Sequence, residues 1–113
     1  MKIELDELMT AFNIAYDHFY ENCGDPVTDR IESIYCQVFD KLAEDEKSRY
    51  IIGKFCEYRH DLITSDREAA AFTMAYRCVL EVKSKEYKTA EQKLKKTIRN
   101  VTMTYNDILL NNA

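Results

Sequence analysis

The sequence predicts an all-α fold, a four- or five-helix bundle with a long, heptad-like C-terminal helix, in a single domain spanning residues 1–113. Three observations carry that expectation. The 113 residues include only two glycines, Gly24 and Gly53, and one proline, Pro26, so the whole stretch from Lys54 to Ala113 lacks the residues that normally break helices or build sharp turns. Apolar residues recur at intervals of three and four, the spacing of one helix face. Helix-start signatures stand where one periodic run gives way to the next. A chain this poor in turn formers cannot make the many reversals of a sandwich or barrel. It also lacks the glycine loops that cradle phosphates or present a nucleophile.

Leu5, Leu8, Met9, Phe12, Ala15, Tyr16, Phe19 and Cys23 mark one face of a first helix, which Gly24 ends. Asp25-Pro26 then supplies an N-cap and a proline at the first helical position, where its missing N–H costs nothing. The second helix presents Val27, Ile31, Ile34, Tyr35, Val38 and Leu42, and the polar run 44–48 links it to a third with Ile51, Ile52, Phe55, Cys56, Arg59, Leu62 and Ile63 on its stripe. Gly53 inside that helix costs about 1 kcal/mol against alanine, which predicts close approach of a neighbouring helix. Ser65-Asp66-Arg67-Glu68 is a capping box and opens the fourth helix. Ala69, Phe72, Tyr76, Val79 and Leu80 form one apolar stripe there, and Ala71, Met74, Ala75, Cys78 and Val82 a second, so this helix is central or shared with a partner. Leu94, Ile98, Val101, Tyr105 and Ile108 follow at coiled-coil spacing and predict an oligomer seam, with a symmetric homodimer as the expected outcome. A break near 84–88 is preferred to one continuous helix from Asp66 to Leu110.

Charge divides along the chain. Residues 1–57 hold 6 basic and 13 acidic side chains, a balance of −7, and residues 58–113 hold 10 and 7, a balance of +3. The basic residues Lys83, Lys85, Lys88, Lys93, Lys95, Lys96 and Arg99 form a concentrated segment. No run approaches the roughly 18 apolar residues that cross a bilayer, so a cytoplasmic protein with no membrane association is expected. Cys23, Cys36, Cys56 and Cys78 fall one to each of the first four predicted helices, where reduced cysteines serve as small hydrophobes.

No strong catalytic motif emerges, and we expect no catalytic residues, metal or cofactor. Cys56 and His60 are spaced i, i+4, yet no CxxC or HExxH completes a metal site, and a core thiol beside a surface histidine is the simpler account. His18 beside Asp17 reads as a surface histidine near a carboxylate rather than an acid/base pair. Tyr50 and Tyr58, eight apart and off the stripe of the third helix, together with Ile14, are the candidate partner-binding residues, because tyrosine offers large contact area at low entropic cost. Asp40, Glu44, Asp45 and Glu46 allow phosphate mimicry but read more simply as a solvated face.

From Glu44 to Leu80 the order of an acidic, lysine-containing link, a Tyr-Ile-Ile-x-x-Phe helix, a Ser-Asp break and Phe72-Thr73-Met74-Ala75-Tyr76-Arg77 resembles small uncharacterised helical proteins of Gram-positive gut bacteria and their phages or mobile elements. Those proteins carry F-x-x-G-[FY]-[KR] at this point, where this chain has Ala75 in the glycine's place. The resemblance implies a phage or mobile-element accessory protein that binds a larger host protein, such as a defence or nucleic-acid machine, and blocks or redirects it. The expected function is therefore a non-enzymatic protein–protein interaction module. The alternative is a small nucleic-acid-binding regulator using the basic segment 83–99.

Overall fold

The computed structural model describes residues 3–82, 92 and 95–100. Among these residues there is no strand, and the all-α expectation is borne out. The elements are α1 (Leu5–Glu21), α2 (Pro26–Glu44), α3 (Glu46–Arg59) and α4 (Asp66–Val82), and residues 95–100 are also helical. The expected long C-terminal helix, and the choice between a bent and a continuous one, fall largely outside the described residues.

Local chemistry sets each boundary. Asp25 accepts from the Thr28 backbone N–H at 2.9 Å and from its hydroxyl at 2.9 Å, with Pro26 opening α2. Asp45 follows the last residue of α2 and precedes the first of α3, and its carboxylate accepts from the Ser48 N–H at 2.9 Å. One residue thus makes the joint. The capping box forms reciprocally: the Glu68 N–H donates to Ser65 Oγ and the Ser65 N–H to Glu68 Oε1, both at 3.1 Å.

α4 is the central helix. From Ala69 to Val79 every residue except Arg77 is buried. It packs chiefly against α1 and α2, with α3 laid across the outside. Ala70, Ala71 and Ala75 are fully buried, and their small side chains let neighbouring backbones come near. One chain of rings then ties all four helices together: Phe12 meets Phe55 at 5.1 Å, Phe55 meets Phe72 at 5.3 Å, and Phe72 takes the edge of Phe39 at 6.0 Å.

Several expectations need correction. Most of the stripe read for α2 holds, with Val27 and Ile31 buried and Tyr35 and Leu42 packed on the core, but the buried face also takes in Thr28, Cys36 and Phe39, whereas Ile34 and Val38 are half-buried outside the core cluster. The Phe39–Phe72 contact draws Phe39 into that face. α1 stops at Glu21, which leaves Cys23 exposed in the turn with Gly24 at φ 95°. None of the four cysteines forms a disulfide, and of their thiols only that of Cys78 is buried. α3 stops at Arg59 because His60 enters the left-handed region at φ 57° and the Asp61 N–H reaches back to the Cys56 carbonyl at 3.2 Å, a Schellman-type ending. Leu62 therefore lies beyond the helix, 66% exposed. Gly53 is also exposed, and a Cβ built there meets nothing within 4 Å, so among the described residues no neighbouring helix approaches it.

Candidate functional site

The Asp45 joint sets the first turns of α3 beside the last turns of α4. A buried hydrogen bond between Ser48 Oγ and the Tyr76 hydroxyl, 3.3 Å, holds them in that position. Tyr76 is 7% exposed and its ring stacks on Phe72 at 5.6 Å. With α3 and α4 so held, a cleft of about 760 Å³ opens between them and the chain entering α1. Its walls are Ile3, Ile51, Tyr76 and Leu80, with Glu46, Lys47 and Tyr50 at the rim. The volume lies in the range of ligand and side-chain pockets, and an apolar floor with a polar rim is the anatomy of a recognition site.

Tyr50 stands 64% exposed at that rim, with the Lys54 ammonium 5.5 Å from its ring centroid. The Tyr76 hydroxyl is already bonded to Ser48 behind the wall, and no described histidine lines the cleft. Its walls are mainly apolar.

The other candidates scatter. Tyr58, 41% exposed, donates its hydroxyl to Asp6 Oδ1 and thereby ties α3 to the start of α1. Ile14 is half-buried against the core. Neither joins Tyr50 in the cleft. Ile51, Tyr76 and Leu80, which the helical stripes assign to the core, supply most of its walls instead, and Ile3 was given no role by periodicity. A half-buried position at a helix end carries the same spacing signal as a fully buried one, so no pattern could separate them.

Of the seam, Ile98 is half-buried on the core of its own chain, and the adjacent Thr97 hydroxyl lies 3.8 Å from the Cys78 thiol of α4. At that point the second apolar side of α4 is covered intramolecularly. Leu94, Val101, Tyr105 and Ile108 lie outside the described residues. Of the basic segment, Lys95, Lys96 and Arg99 are exposed, and Lys83, Lys85, Lys88 and Lys93 lie outside the described residues.

Cys56 and His60 both line a second hollow, about 640 Å³, on the outer face of α3, but among the described residues no three His, Cys, Asp or Glu side chains are arranged to hold a metal. His60 serves there as the helix ending. Burial lowers the pKa of His18 below the ordinary imidazole value, against the raising fields of Glu21 and Asp25, and its Nδ1 lies 3.3 Å from Asn22 Nδ2. Its polar neighbour is thus Asn22 rather than Asp17. Asp40, Glu44, Asp45 and Glu46 are exposed, with Asp45 engaged as a cap. Among the described residues no helix is long and apolar enough to cross a membrane.

Comparison with protein-family models, with curated proteins and with solved structures finds no match to this chain.

Proposed function

We propose that this chain is a non-enzymatic protein-binding module that takes an apolar side chain of another protein into the cleft between α3 and α4. The observation that carries this reading is the combination of an apolar floor, Ile3, Ile51, Tyr76 and Leu80, with the exposed Tyr50 on its rim. A large aromatic at the edge of an apolar pocket is a usual form of interface anchor, desolvated once the partner is bound. The resemblance between Glu44 and Leu80 extends the proposal to a cytoplasmic phage or mobile-element protein that inhibits a host defence or nucleic-acid machine. The cleft walls come from that same stretch, apart from Ile3.

A photo-crosslinker at position 50, followed by mass spectrometry from a bacterial host, tests the reading. We expect a discrete partner whose capture is lost in Leu80→Asn and kept in Tyr58→Phe, with helicity by circular dichroism unchanged in both. Equal capture by the Leu80 variant overturns the cleft as the site. A steeply salt-dependent complex with DNA or RNA, weakened by neutralising Lys95, Lys96 and Arg99, would instead favour the nucleic-acid reading.

A further inference from the structure

We infer that the outer face of α3 is a two-fold interface on which a second copy of this chain packs antiparallel, with the helices crossing at Gly53. The glycine is the starting point. In the interior of an exposed helix it costs about 1 kcal/mol against alanine, and none of the described residues uses the space that its missing Cβ leaves open. A glycine at a helix crossing lets two backbones approach more closely than the usual 8–10 Å between axes. The vacant space belongs to a hollow that also carries Leu62, 66% exposed, and the half-buried Ile52 and Cys56.

Charge identifies the occupant. Arg49 and Glu57 stand four residues before and four after Gly53, within about 40° of it on either side of the helix, and both are exposed and line the same hollow. About a two-fold axis through Gly53, position 53−n of one copy faces position 53+n of the other. Arg49 then meets the partner's Glu57, and Glu57 meets the partner's Arg49. A parallel pairing would oppose Arg49 to Arg49 and Glu57 to Glu57, so the pattern selects the antiparallel arrangement. The Lys54–Glu57 contact within the helix, 3.6 Å and exposed at both ends, is weak enough to yield to it. One helix pair buries less than the roughly 800 Å² per partner of a standard interface, so the dimer is weak, with Kd on the order of 10–500 µM.

This dimer is independent of the α3–α4 cleft and of the C-terminal seam, and either can fail alone. Sedimentation equilibrium of the full chain at low salt, up to about 1 mM, tests it. Wild type should show a concentration-dependent dimer. Arg49→Glu and Glu57→Arg should each weaken it at least tenfold, and the double variant, which restores complementarity with the signs exchanged, should return to within about threefold of wild type. Gly53→Leu should be monomeric, with its helicity checked by circular dichroism. A wild type monomeric throughout, a dimer indifferent to Arg49→Glu, or folded single variants that dissociate without recovery in the double would each overturn the inference.

Discussion

Replacing Arg59 by methionine should destabilise the protein by about 2 kcal/mol, because this arginine is the bolt between the end of α3 and the start of α4. Its Nη2 donates to Glu68 Oε2 at 2.8 Å, with the two side chains only 14% and 13% exposed. Its guanidinium also lies 4.9 Å from the centroid of Phe12 and 5.9 Å from that of Phe55. Breaking a fully buried pair by removing one partner costs about 3–5 kcal/mol. Here residual exposure lowers that figure. So do the hydrogen bonds that Glu68 keeps from Thr64 and Ser65. Methionine retains much of the apolar stem against the rings, and Nη1, buried with no hydrogen-bond partner in the wild type, is removed along with the charge. What is lost is the charge-assisted bond, the cation–π contact and a weak 3.5 Å contact to the exposed Asp61, about 2 kcal/mol together.

Urea titration followed by far-UV circular dichroism measures this change directly. Acid adds a second readout. Burial pushes the Glu68 carboxyl up, but hydrogen bonds from Arg59, Ser65 and Thr64 outweigh it and hold the group below the ordinary glutamate range. The folded pKa is the lower one, so this stabilisation is complete above about pH 4.3, where the unfolded carboxyl titrates, and is lost as pH falls through the folded value. Arg59→Met should flatten that part of the stability–pH curve. A variant within about 0.5 kcal/mol of wild type, or one with an unchanged acid limb, would refute the assignment.

His60→Gly should raise stability by about 0.5–1 kcal/mol in the same titration, because His60 occupies a left-handed ending that glycine adopts without steric cost; a loss would show that the imidazole itself is needed. A thiol reagent applied to the native protein without reductant should label Cys23 at once, Cys36 and Cys56 more slowly, and Cys78 only on unfolding. Early labelling of Cys78 would contradict its burial at 1% exposure.

Much of the helical frame was legible because the signals involved are local. Asp25-Pro26, the Ser65–Glu68 box and the 3–4 spacing of Leu8, Phe12, Ala15 and Phe19 depend on residues within a turn or two of each other, and each stands where the sequence places it. The doubled stripe of α4 likewise announced a helix covered on both sides. The end of α3 was hidden because a histidine makes the turn that glycine usually makes, and the stripe runs on through Leu62 without a break. That the buried face of α2 extends to Phe39 was a tertiary decision, taken by its meeting with Phe72. The cleft is tertiary for the same reason: Ile3, Tyr50 and Leu80 lie far apart along the chain, and it is the Asp45 joint together with the Ser48–Tyr76 bond that brings them to one opening. Gly53 shows the division most plainly, since its cost inside a helix follows from sequence alone, whereas the space that the described residues leave open beside it exists only once the four helices have packed on the other side.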